Sequence, residues 1–384
     1  MTAAGLPSRS ACLDGLEALE LIRVRLPMRG PFVSGHGAES VRDVVLVRAL
    51  GSGGSEGWAE CSALAAPTYT GEYTAGAWAV LRDHLGPAAL AGRFDVVVGH
   101  PMAAAAIELA LADRWLRGAD RSLLDACGVA VDERLGLGWT AVLGVQTDID
   151  GLLEAAGAAL GARAGGLKLK IAPGWDVEPV RAVRDAFPDA VVSADANGRY
   201  TRDDRDRLLA VAEALAGPPG AYLEQPLAAD DRVGLAELAA DLPLPLALDE
   251  SIVAPGDVVT AAALGAAGLV NLKPARLGGL GATLATAAAL GGLDDASRPG
   301  VFLGGMLETG VGRSAALAIG VATGLGIRQT DLGPSDHYFE RDITEPVLLG
   351  LDGLAWAGDD PGIGRHPLAD RLAEVATDRL LLRP

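Results

Sequence analysis

Between Ala18 and Ala63 apolar and polar positions alternate with the period of half-buried strands: ALELIRVRLP (18–27), SVRDVVLVRALG (40–51) and GWAECSA (57–63). A Gly/Ser turn at 51–55 separates the last two, and the pattern predicts antiparallel pairing. Helical spacing replaces it over Gly71–Leu85 and Met102–Arg117, Ala- and Leu-rich stretches long enough to pack on such a sheet. An α+β domain over about 1–138 follows. Only the first dozen residues look structureless.

From Thr140 short apolar runs alternate with helix-length segments. TAVLGV, GGLKLKI, AVVSADAN, GAYLEQP, LPLALDES, GLVNLKP and GVFLGGM read as strands, with helices such as Asp150–Ala164, Val177–Ala186 and Asp203–Ala216 between them. Regular alternation implies right-handed βαβ crossovers and a parallel sheet, as a closed barrel or an open doubly wound sheet. The glycine fingerprint of a dinucleotide fold is missing after the first strands, which counts against the open sheet. The predicted α/β domain covers 139–339, and the Asp-, Pro- and Gly-rich residues 340–384 are expected to return over the first domain.

Composition narrows the partners. Half of the 384 residues are apolar and 51 Gly and 22 Pro are spread along the chain, as in a globular protein. A net charge of −18 repels phosphate backbones and anionic lipid surfaces, so neither nucleic acid nor membrane is an expected partner. The N-terminus lacks a basic segment followed by an apolar one, and cytoplasmic residence is expected. Cys12, Cys61 and Cys127, odd in number and without ligand spacing, fit reduced thiols.

One compositional fact bears on chemistry: of 32 basic residues only three are Lys, at 168, 170 and 273. High-GC coding explains the scarcity but not the positions. Arg cannot act as a base, whereas a buried amine can exchange protons. Lys170, Asp195, Glu224, Asp249 and Lys273 end successive strand runs, at intervals of 25, 29, 25 and 24 residues, about one β/α unit each. In a barrel the C-terminal ends of successive strands converge on one mouth. Three carboxylates from consecutive strands make a hard oxygen site suited to Mg²⁺, with no His or Cys to favour zinc. Lys168 and Lys170, two apart on a strand, share its inward face, and each is expected to lower the other's pKa. Lys273, across the barrel, would act on the opposite side of a substrate. Singly, each acid reads as readily as a helix cap or a solvated loop residue. Five at one position of five consecutive repeats are hard to obtain from capping. None of the five histidines ends a strand run between 140 and 310, which leaves the base role to lysine. The glycines of GGLGA (278–282) read as helix-start geometry.

At these residues the chain resembles the muconate lactonizing branch of the enolase superfamily, with its K-x-K (168–170), D-x-N (195–197), E-x-P (224–226) and D-E-S (249–251) motifs and a later lysine. More narrowly, PFVSGHG (31–37), KIAPGWDVEPV (170–180), NLKPARLGGL (271–280) and GGMLETGVGR (304–313) are similar to o-succinylbenzoate synthases and N-acylamino acid racemases. The resemblance covers nearly the whole chain. It implies a (β/α)7β TIM-like barrel with an α+β capping domain formed by the N-terminal region and the C-terminal tail. It also implies Mg²⁺, with Mn²⁺ able to substitute, on Asp195, Glu224 and Asp249. Lys170 would remove the α-proton and then protonate the departing hydroxyl, Lys273 would stabilise the enediolate, and Lys168 would assist electrostatically. Phe32, Tyr69, Asn197, Glu250, Ser251, Gly305, Met306 and Glu308 would surround a small carboxylate substrate, under a mobile capping loop at Pro31–Gly37. Such synthases dehydrate 2-succinyl-6-hydroxy-2,4-cyclohexadiene-1-carboxylate in menaquinone biosynthesis; a racemase uses the same lysines from opposite faces, and a homo-oligomer stays open. Two departures fall in the substrate shell: His36 where family members often carry Phe, and Val142 where a Ser is frequent. A non-catalytic scaffold is the reading from another class, and retention of all five polar residues argues against it.

Overall fold

The computed structural model describes residues 5–94, 97–130, 134 and 136–384. A four-stranded antiparallel sheet is built from β1 (Leu16–Ser34), β2 (Gly37–Gly51), β3 (Glu56–Cys61) and β13 (Ala376–Leu382), in the order β13-β1-β2-β3. Its alternation buries Leu19, Leu21, Val45 and Val47 beneath the helix Pro101–Gly118, which contributes Ala103, Ala106 and Ala110. Contact is close enough that a Cβ at Gly57 would overlap the backbone of Ala110 and Arg114.

The β1/β2 hairpin is longer than its apolar alternation suggests. After an irregularity between Pro27 and Phe32, pairing resumes at Phe32↔Glu39 and runs to Ser34↔Gly37. The segment Pro31–Gly37 is therefore the tip of a paired hairpin, and Val33 O accepts from Val145 N at 2.9 Å, tying that tip to the second sheet.

That second sheet is a closed barrel of eight parallel strands: β4 (Leu137–Leu143), β5 (Gly166–Lys170), β6 (Val192–Asp195), β7 (Leu223–Glu224), β8 (Leu246–Leu248), β9 (Leu269–Leu272), β10 (Gly300–Leu303) and β11 (Gln329–Thr330). Pairing of β11 with β4 closes it. Seven of the strands fall on the predicted runs. The eighth, two residues long, is too short to show a periodicity. Helices Ile149–Gly161, Val177–Ala186 and Arg205–Leu215 occupy the expected connections, and Gly279, with φ 102°, stands at the N-cap of the helix Leu280–Gly291.

Both chain ends differ from expectation. Arg9–Leu13 forms a helical turn in which the Ser8 side chain accepts from Ala11 N, so the first dozen residues are not all structureless; residues 1–4 lie outside the described residues. The C-terminal tail does return to the first sheet as β13, but it also lays β12 (Leu354–Ala355) antiparallel against β4. Among the described residues no helix is long and apolar enough to cross a membrane. The three cysteines are buried and unpaired by disulfides.

Candidate active site

Strand register delivers the predicted constellation. Lys170 is level with Asp195, and Asp195 with Glu224, across β5, β6 and β7. Asp249 and Lys273 follow the last residues of β8 and β9. Lys168, Asp195, Glu224, Asp249 and Lys273 are all buried, the three acids to 1 % exposure or less. With eight strands in the ring, β5 and β9 stand four apart, so Lys170 and Lys273 enter from opposite sides.

The acids do not meet as a ready-made chelate. Among the described residues no three His, Cys, Asp or Glu side chains form a metal-holding group, because each acid is drawn onto a base. Lys170 Nζ donates to Asp195 Oδ2 at 2.6 Å, Lys168 Nζ to Glu224 Oε2 at 2.7 Å and to Asp331 Oδ2 at 2.5 Å, and Lys273 Nζ to Asp249 Oδ2 at 2.8 Å. Arg276 forms a further ion pair with Asp249. Each of the three acids expected to hold a cation is thus paired with a lysine in this structure.

This pairing corrects the expected lowering of the Lys168 pKa. Burial would lower the pKa of Lys168, but Asp331 and then Glu224 hold its ammonium well above the ordinary lysine range. Its neighbours are acids from elsewhere in the barrel, one ending β7 and one following β11. Burial, then the charge of Asp195, pushes Glu224 up to about 8. Asp249 goes the other way: burial disfavours its charge, yet Lys273 and Arg276 hold it well below the usual carboxylate range.

Two adjoining cavities open beside these groups. The larger, about 250 Å³, is lined by Phe32, His36, Tyr69, Lys170, Lys273 and Met306 among others. The smaller, about 70 Å³, reaches Val142, Lys168, Asp195, Glu308, Arg313 and Asp331. Phe32, Gly305, Lys170 and Lys273 border both. Glu308 Oε2 and Asp331 Oδ1 are buried there without a partner in the structure. Tyr69 OH donates to Asp249 Oδ1 at 3.2 Å, and the Lys273 ammonium sits 4.8 Å from the Tyr69 ring centroid.

The remaining predicted residues divide. Asn197, at φ 45°, lines the larger cavity and donates from Nδ2 to Glu250 Oε1 at 3.1 Å. Glu250 turns instead to the hairpin tip, meeting His36 Nε2 at 2.8 Å. Ser251 lies away from both cavities; its Oγ donates to Ala229 O and accepts from Gln225 Nε2, so it supports the loop. Gln225, at φ 36°, accepts from Asp249 N and Ser251 N and thereby orders the whole Asp-Glu-Ser turn. Gln225, Arg276 and Asp331 were not singled out from the sequence. An acid following a strand was the available signal for Asp331, hidden because that strand has only two residues.

Charged side chains gathered at the C-terminal mouth of a barrel, under a second α+β domain, define an enzyme architecture. The family described as Enolase C-terminal domain-like matches residues 151–371, and the chain belongs to the enolase superfamily. Within it, the chain is 39 % identical to an N-succinylamino acid racemase from an Amycolatopsis species, across 95 % of this chain and 98 % of that one. It is 35 % identical to an o-succinylbenzoate synthase from Geobacillus stearothermophilus, across 91 % and 92 %. A solved enolase superfamily member from Listeria innocua superposes with a TM-score of 0.85 at 28 % identity, covering 96 % of this chain and 99 % of that one.

Proposed function

We propose that the chain removes the proton next to a substrate carboxylate with Lys170, and that its reaction is the o-succinylbenzoate synthase dehydration of menaquinone biosynthesis. The observation that carries this reading is the pair of lysines on opposite walls of one 250 Å³ cavity, among buried acids. N-succinylamino acid racemisation is the second reading, supported by the same lysine pair and by the racemase relative at 39 % identity.

The donor set fits a hard divalent cation. Asp195, Glu224 and Asp249 end consecutive strands with no His or Cys among them, and burial, then the charges of Asp195 and Asp249, pushes Glu224 up, a repulsion among the three carboxylates that Mg²⁺ or Mn²⁺ would relieve. Asp195, Glu224 and Asp249 would hold the ion, which would compensate the second negative charge a carboxylate gains as its α-proton leaves.

The chain's own groups supply the rest. In the dehydration Lys170 takes the α-proton, the electron pair moves to expel the hydroxyl on the same side, and the Lys170 proton leaves with it as water, so that the ring becomes aromatic. Lys273, protonated by its pairing with Asp249, balances charge from the far wall. In racemisation the same ammonium returns a proton to the opposite side. Phe32, Tyr69 and the first-domain hairpin keep water away from the amines.

Incubating the Mg²⁺-loaded protein separately with 2-succinyl-6-hydroxy-2,4-cyclohexadiene-1-carboxylate and with N-succinylamino acids tests the assignment. Formation of o-succinylbenzoate is the expected result. Epimerisation without that product would move the assignment to the racemase, and no solvent deuterium exchange into either substrate would reject both.

A further inference from the structure

Two buried ionised side chains from the first domain do no chemistry in the proposed mechanism, yet both reach the barrel. Arg42, on β2 and fully buried, donates from Nε to Leu307 O at 3.1 Å, from Nη1 to Ala63 O at 3.0 Å and from Nη2 to Ser62 O at 2.5 Å. Glu60, on β3 and 4 % exposed, accepts from Thr309 N at 3.1 Å, Thr309 Oγ1 at 2.5 Å, Gly312 N at 3.2 Å and Ser62 Oγ at 3.1 Å. All their barrel partners lie within residues 307–312, where the chain enters the helix Gly310–Ala322.

That short segment is one wall of the substrate cavity. Gly305, Met306 and Leu307 line it, and Leu307 does so at φ 58°, a conformation that a branched side chain keeps only when its surroundings enforce it. The other wall is Leu64–Tyr69, which begins directly after the Ser62 and Ala63 carbonyls that Arg42 holds. One guanidinium therefore grips the roots of both walls, and one carboxylate fixes the far end of the first. Neither side chain lines either of the two cavities at the barrel mouth.

We propose that Arg42 and Glu60 are positioning residues through which the first domain sets the shape of the substrate cavity, and with it substrate affinity, without touching the substrate.

A pH signature accompanies the clamp. Glu60 is faced by Arg42 from β2, by Ser62 from its own strand end, and by Glu308, Thr309 and Gly312 from the barrel. Burial, with a smaller contribution from Glu308, pushes it up to about 7, against the Thr309 bond and Arg42. As pH falls below neutrality the carboxylate gains a proton and can no longer accept from all its donors.

The test uses Glu60→Gln and Arg42→Lys in the full chain, with whichever substrate the parent protein turns over. Gln keeps the shape but not the charge; Lys presents its donors from a single nitrogen and cannot span the three carbonyls that Arg42 reaches from Nε, Nη1 and Nη2. Each variant is expected to raise KM about tenfold, the scale of one lost buried hydrogen bond. kcat should stay within about twofold, because wall contacts act equally on bound substrate and transition state. The parent's KM should rise as pH drops through about 7, and that rise should vanish in Glu60→Gln. Amide hydrogen exchange supplies an arm that needs no substrate: peptides containing Thr309 and Gly312 should exchange faster in both variants. The kinetic arm rests on the proposed function and the exchange arm does not, so a parent without turnover rejects the former alone. Unchanged exchange at 305–312, or lost kcat with unchanged KM, would overturn the clamp. If Arg42→Lys fails to unfold cooperatively, the isosteric Glu60→Gln carries the decision.

Discussion

Replacing Lys170 with Arg separates the two lysines by the side of the substrate each faces. The guanidinium keeps the positive charge beside Asp195, which Lys170 Nζ now reaches at 2.6 Å, and the adjoining cavity of about 250 Å³ gives the larger group room. Fold stability should therefore change by no more than about 1 kcal/mol. Chemistry should change far more, because Arg does not lose its proton near neutral pH. A positioned general base contributes about 10²–10⁴ in rate, so loss of o-succinylbenzoate formation by a factor in that range, about 3–5 kcal/mol in barrier, is expected. Proton NMR in deuterated solvent gives a sharper readout with N-succinyl-L- and N-succinyl-D-amino acids. Lys170 and Lys273 stand on strands four apart in a ring of eight. Exchange should thus disappear for the enantiomer whose α-hydrogen faces β5 and persist for the one facing Lys273. Equal residual exchange for both enantiomers, or undiminished dehydration, would show that Lys170 is not the base.

Addition of Mg²⁺ to chelator-treated protein should raise Tm, by the equivalent of about 2.7 kcal/mol at a hundredfold excess over Kd, and Asp195→Asn should weaken the shift; an unchanged Tm at millimolar Mg²⁺ would remove the cation from the site. Asp113, fully buried, accepts from Trp58 N, Ile363 N and Arg117 and meets His366, joining the first sheet to the C-terminal segment; Asp113→Ala should cost about 3–5 kcal/mol in urea unfolding, and a loss below 1 kcal/mol would contradict that role. Burial, then the charge of Arg313, pushes His337 down from 6.5 to about 4, so its contribution to stability is complete above pH 6.5 and is lost as pH falls through about 4, some 3 kcal/mol in all. His337→Phe, which keeps the ring packed against Trp139 and Tyr338, should flatten the urea midpoint between about pH 7 and pH 4, whereas parallel curves for parent and variant would assign the acid sensitivity elsewhere.

How much of this was legible follows from the range of each interaction. Strand–helix alternation is local, and a repeat of 24 to 29 residues converts directly into neighbouring strands, so the convergence of Lys170, Asp195, Glu224, Asp249 and Lys273 could be read from spacing alone. The ion pairs that join them could not. Lys168 looked like a second amine pressed against the first, but its dominant neighbours, Glu224 and Asp331, lie 56 and 163 residues away. Arg276 is one of many arginines and carries no periodic mark. Glu60 alternates with Ala59 and Cys61 along β3 and so reads as solvent-facing; it is buried because the barrel covers that face of the sheet. A strand covered on both faces usually reads as a continuous apolar run; β3 keeps the period of a half-exposed strand because its second face is filled by a hydrogen-bonded acid, which only tertiary structure reveals.

In the mechanism proposed above, dehydration and racemisation share their first step, so the catalytic groups cannot choose between them. After the α-proton leaves, dehydration needs an acid on the side of the departing hydroxyl, the role proposed for Lys170, while racemisation needs one on the opposite side, the role proposed for Lys273. Both lysines border the same cavities. Discrimination must then come from which substrate the cavity holds with the right atoms facing each amine. His36, one of the two departures expected from the sequence, lines the larger cavity but does not offer a free cation to a second carboxylate: Glu250 and Thr68 O occupy its two ring nitrogens, at 2.8 and 2.9 Å. Val142, the other departure, leaves an apolar surface at the inner cavity. A succinyl carboxylate entering this site would therefore find its partners elsewhere than at those two positions.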